Sequence, residues 1–228
     1  MSTQTNRIFF KGNPFPNGHK IKQFVWDGEL DPEKGLIFHF HLKTEEYYAE
    51  DNSEDIEEDL PDWLSKIVWG NYHNCTLASK ERYQEGIIVA TPDQKFDFRQ
   101  LGSLTLTADP LPLAEDWDPD DLAFGIYLLG HDTCADHNIR ITHTGDDRFD
   151  IYWTGKIALT YAGEEEFRHT FEANMTQVPF GGFHYPKEYT QEEAIGLLST
   201  LVTDPDNYTF KDLNPKSFKR EYKLVRKA

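Results

Sequence analysis

The sequence predicts an α+β fold, a mostly antiparallel β-sheet with one or two helices packed on it. Three observations carry that expectation. Short segments that alternate apolar and polar residues recur along the chain, and only two stretches have helical periodicity. The strands also group around those helices without the regular strand–helix rhythm of a doubly wound sheet.

In chain order, residues 8–10 and 21–26 are the first strands, joined through the turn-forming segment 13–18 (Asn-Pro-Phe-Pro-Asn-Gly). Residues 36–42 alternate cleanly, with Leu36, Phe38, Phe40 and Leu42 on one face and Ile37, His39 and His41 on the other. Residues 86–91, 96–98 and 104–107 supply three more strands. Residues 122–129 are apolar on both faces, as a central strand is, and 138–144 are its expected hairpin partner. From 149 to 161 the odd positions are mostly apolar, with Gly155 marking a bulge or bend. Residues 167–175 repeat the alternation, which makes 162–166 a hairpin loop.

The first helix is expected over 61–69, with Pro61 in its first turn and Leu64, Ile67 and Val68 as its apolar stripe. The second opens on the capping-box pattern Thr190…Glu193 and continues through Ala194, Leu197, Leu198, Leu201 and Val202. The basic segment 211–228 fits either a strand or a helix. With no internal repeat and no linker, one domain spanning 1–228 is expected.

Aromatics make up 14% of the 228 residues and supply the apolar area that a modest 38% hydrophobic content would otherwise lack. Neither a signal-peptide core nor a membrane-length apolar run occurs, and Cys75 and Cys134 are too few for a disulfide framework. A cytoplasmic protein is therefore expected. The N-x-Ser/Thr triplets at Asn74, Asn174 and Asn207 are then chance matches.

Net charge is −17. Residues 45–70 open with a dense acidic run that includes Glu54, Asp55, Glu57 and Glu58, and a second acidic cluster covers 115–121. The tail from 211 runs the other way, with Lys and Arg outnumbering acids. Such a field disfavours nucleic acid and anionic membranes as partners and favours a basic protein.

The catalytic signatures G-x-S-x-G, H-E-x-x-H, C-x-x-C, the Walker A loop and G-x-G-x-x-G are all absent. Three weaker groupings deserve weighing. His131, Cys134, Asp136 and His137 fall within seven residues at a strand junction, and together have the donor types of a zinc site or an activated thiol. His39 and His41 share a strand face, with His73 as one candidate for a third ligand. Asp116–Asp121 begins like a calcium loop but has Asp121 where that loop needs glycine, so backbone capping explains it better.

The leading expectation is thus a non-catalytic protein that binds a basic partner, with Glu54, Asp55, Glu57 and Glu58 as binding residues and no cofactor. An inhibitor of a basic toxin, of the immunity-protein type, is one concrete form. The alternatives are a zinc- or thiol-dependent enzyme on the 131–137 loop, or a carbohydrate or small-ligand binder using Tyr152, Phe183 and Tyr185.

Overall fold

Strands that alternate apolar and polar residues leave the sheet with one apolar face, and something must cover it. A computed structural model describes residues 6–50, 59–80, 84–98, 102–145 and 147–227, and in it the sheet covers that face by closing on itself. The elements in the first half are β1 (Arg7–Phe10), β2 (His19–Asp31), β3 (Gly35–Thr44), α1 (Lys66–Tyr72), β4 (Thr76–Ala78), β5 (Ile87–Ala90) and β6 (Ser103–Ala108). The second half contains β7 (Gly125–Tyr127), β8 (His131–Gly145), β9 (Arg148–Ala158), β10 (His169–Pro179), β11 (Phe183–His184), α2 (Gln191–Leu201), β12 (Tyr208–Asp212) and β13 (Tyr222–Arg226).

Eight strands form an antiparallel ring in the order β2-β1-β10-β9-β8-β7-β4-β3, which closes where β3 pairs back onto β2. The expected α+β layering is therefore corrected to a closed eight-stranded β-barrel carrying two short helices. The ring is completed through β1, where Ile8 pairs with Ala173 of β10 and with His19 of β2. A pairing between positions so far apart in sequence leaves no trace in local alternation, which fixes the buried face of a strand and not its neighbour.

Strands β5 and β6 extend the edges of β3 and β8, and β11, β13 and β12 extend β2. The barrel thus opens into broader sheets at one end. The basic tail contributes strand β13, paired with β12 from Tyr208↔Arg226 to Asp212↔Tyr222. Among the described residues no helix is long and apolar enough to cross a membrane.

The barrel interior is filled by rings. Trp26 stacks on Phe40 and meets the edges of Phe38, Phe149 and Phe180, while Trp153 packs on Phe124 and Phe40. Leu36, Phe38, Phe40 and Leu42 of β3 all point inward, as their alternation predicts. The 149–175 hairpin also forms, with Trp153 opposite Ala173 and Ile157 opposite His169. Its connection is longer than expected, since both strands stop short and a 3-10 turn occupies Thr160–Ala162. Gly155 stays in register opposite Phe171. It is needed for space, because a Cβ there would lie 2.6 Å from the Phe171 ring and 2.9 Å from His137 Nδ1.

Helix α1 covers one barrel end, but not with the expected stripe. Trp69 and the preceding Trp63 are buried against Phe10, Phe15 and Tyr47, whereas Leu64 and Ile67 are exposed. Two indoles bury more area than Leu and Ile, so they set the rotation of the segment. Helix α2 begins as its sequence requires. The Thr190 side chain accepts from the Glu193 N–H and the Glu193 carboxylate accepts from the Thr190 N–H. Thr190→Ala should therefore destabilise the fold by about 1 kcal/mol. Coincident urea midpoints for the variant and its parent would show the cap to be idle.

Candidate binding site

His131, Cys134, Asp136 and His137 do not meet. They belong to strand β8 itself and not to a loop, and the true turn lies at 128–130. Strand geometry sends neighbours to opposite faces, and a bulge between Ala135 and Asn138 divides them further. The expected partnership of 122–129 with 138–144 is likewise shifted, since β7 pairs with His131–Thr133 while Asn138–Thr142 pair with β6.

Cys134 is fully buried, its Sγ 3.4 Å from the Phe124 carbonyl, and burial pushes its thiol well above the ordinary range. His137 is buried beneath Trp153, whose indole N–H donates to its Nδ1 at 3.2 Å, and desolvation lowers its pKa to about 3. Both are core residues, and a thiol held protonated is not a nucleophile. Asp136 is on the surface, paired with Lys156 at 3.2 Å.

His39 is also structural. Its Nδ1 lies 3.2 Å from the Ser79 hydroxyl and its Nε2 3.3 Å from Glu29, which also pairs with Lys80 at 2.6 Å. Those contacts, the His39 hydrogen bond first, hold Glu29 down at about 2. His41 is half-buried on the same strand face, and His73 is exposed at the C-terminus of α1. Among the described residues no three His, Cys, Asp or Glu side chains gather as metal ligands. Phe183 is a core residue, so Tyr152, Phe183 and Tyr185 make no common exposed surface. Glu54, Asp55, Glu57 and Glu58 lie outside the described residues.

Of the 131–137 group, Asp136 borders a groove that also includes its partner Lys156, and His131 lines a second concavity. Where β4, β7 and the start of β8 meet, at the barrel end that α1 covers, a cup of about 410 Å³ opens on the outer wall. Its floor and sides include Thr76, Gln84, Tyr127, His131, Asp132, Thr133 and Thr160, and its rim includes Asp118 and Asp120. The rim is a 3-10 turn in which the Asp118 side chain accepts from the Asp120 N–H, the capping role expected of this cluster. Glu115, Asp116, Asp118, Asp120 and Asp121 are all exposed.

Asp132 is the central group. Only 7% exposed, it accepts from the Leu129 N–H at 2.9 Å and the Tyr161 N–H at 3.3 Å. Burial raises its pKa, the two backbone donors oppose that rise, and no cation among the described residues contributes. Beside it the Thr133 and Thr160 hydroxyls share a hydrogen bond of 3.0 Å. Gln84 is 9% exposed, and its Oε1 is buried with no partner among the described residues. Its carboxamide rests over Gly125, where a Cβ would lie 2.9 Å from the amide carbon.

Asp132 lies inside the His131-to-His137 run, yet no motif singles it out. The available signal was an acid in a strand segment whose neighbours are mostly buried. Gln84 and Thr160 come from distant loops and left no such signal. Comparison with protein-family models, curated proteins and solved structures finds no match.

Proposed function

We propose that this protein is a non-catalytic binding domain that captures a cationic group of a basic partner in the cup around Asp132. One observation supports this above the others: a buried carboxylate with no counter-ion among the described residues opens into a concavity whose described lining contains three Asp and no Lys or Arg. Leaving a carboxylate desolvated and unpaired is costly, and a cation brought beside it recovers that cost. The other large concavities are of different character. The groove of about 840 Å³ beside His184 and Tyr222 includes Lys80, Lys187, Lys219 and Arg220.

The exposed acids at 115–121 suit the approach of such a partner. Charges at a rim raise the encounter rate, whereas a buried anchor controls departure. An inhibitor of a basic toxin is one concrete form of this activity.

The test uses an oligo-arginine peptide as the basic probe, with association and dissociation followed at several salt concentrations. The association rate should fall steeply with salt. Replacing Asp118 and Asp120 with Asn should slow association several-fold, and Asp132→Asn should speed dissociation about ten-fold or more. Binding that ignores both sets of substitutions, or no binding at low salt, would reject this reading.

A further inference from the structure

Resting on the reading of the cup as a cation site, we infer that its ligand is a guanidinium, the side chain of an arginine on the partner, and not an ammonium or a metal ion. The acceptors come from three separate elements. Asp132 and Thr133 belong to β8, Thr160 to the 3-10 turn after β9, and Gln84, whose carbonyl has no partner among the described residues, to the segment before β5. A planar guanidinium carries five N–H donors in a fixed fork and can reach several separated acceptors at once. An ammonium is a compact, strongly hydrated charge that needs its acceptors close around it.

The walls favour the same ligand. Tyr127 lines the cup half-buried, its ring beside His131 at 5.2 Å. A weakly hydrated guanidinium face packs on such a ring, and its methylene stem fills apolar space. A cavity of about 410 Å³ has room for both. A hard divalent ion needs six or more oxygens close together, and this cup has one buried carboxylate.

Gly125 has a role in this arrangement. An added methyl there would press on the Gln84 carboxamide at 2.9–3.0 Å and displace it, leaving the Asp132 backbone donors in place.

The experiment is calorimetric titration of the full chain at constant ionic strength with N-acetyl-arginine amide, N-acetyl-lysine amide and calcium chloride. Arginine is expected to bind about ten-fold or more tightly than lysine. Asp132→Asn should weaken arginine about ten-fold or more, and Gly125→Ala several-fold while narrowing its advantage over lysine. Calcium should not compete. Equal affinities for the two amides, both lost in Asp132→Asn, would overturn the guanidinium inference and leave the cationic cup standing. Arginine binding untouched by both variants would overturn the inference and the cup together, and competition by calcium would overturn the choice of ligand.

Discussion

Replacing Trp153 with Ala should cost roughly 5 kcal/mol, enough to unfold a protein of ordinary stability. The side chain is fully buried among Phe40, Phe124 and Phe171, with ring centroids 4.7–6.0 Å away. Removing a packed indole costs about 3–5 kcal/mol, because the surrounding wall relaxes only partly. The loss extends to His137, whose Nδ1 receives the indole N–H while its Nε2 has no partner among the described residues. Taking away that donor leaves the imidazole without it inside the core, for roughly another 1–3 kcal/mol. Trp153→Phe separates the two effects, keeping most of the packing and losing only the hydrogen bond. Urea unfolding of both variants measures the difference. A cost below about 1 kcal/mol for Trp153→Ala would mean that the interior is not the filled core described above.

Acid should destabilise the fold well above the range in which carboxylates titrate. Burial lowers the pKa of His19 from 6.5 to about 4, helped by the nearby Arg7 charge, and lowers that of His137 from 6.5 to about 3. A histidine kept neutral in the folded state takes up a proton on unfolding, so the unfolded chain binds more protons below its ordinary pKa. Stability is therefore complete above about pH 6.5, declines as pH falls below it, and stops declining on this account below about 4 for His19 and about 3 for His137. Each full shift corresponds to roughly 3 kcal/mol or more. Asp109 and Asp132 act in the opposite sense, since burial raises their carboxyl pKa values and protonation favours the folded state. The histidine slope is accordingly cleanest between pH 6.5 and about 5, ahead of the carboxylates. Urea midpoints at closely spaced pH values should fall through that window, and His19→Gln should flatten the fall. A flat profile would show that the two histidines are not buried as described.

Much of this molecule is legible in its sequence where the signal is local. The alternation of 36–42 assigns the inward face of β3 correctly, and matched alternation on both sides of 162–166 identifies the β9–β10 hairpin. Thr190 and Glu193 announce the start of α2, because a capping box is a contact across three residues. What the sequence hides is pairing at a distance. Nothing near Ile8 says that it lies between Ala173 and His19, and that placement turns layers into a barrel. The apolar run 122–129 reads as a long strand, yet only Gly125–Tyr127 pairs while Leu122 and Leu128 are buried in irregular backbone. The same limit applies to the cup. Clustering in sequence singles out His131 through His137, but a strand splits such a cluster between two faces, whereas Gln84, Asp132 and Thr160 come together only through the fold.

The central claim is that Asp132 anchors a cation, and the amides that hold its carboxylate report on it directly. The Leu129 and Tyr161 N–H groups donate to the two Asp132 oxygens, so charge placed beside that carboxylate must move their resonances. Titration of isotope-labelled protein with N-acetyl-arginine amide should shift the Leu129 and Tyr161 amides and the Gln84 side-chain amide along one saturable curve. Asp132→Asn should abolish the shifts. Because burial raises the Asp132 pKa, the response in the parent should fade on acidification at a higher pH than an ordinary aspartate would give. Shifts confined to the exposed acids of 115–121, without saturation and unchanged in Asp132→Asn, would contradict the account.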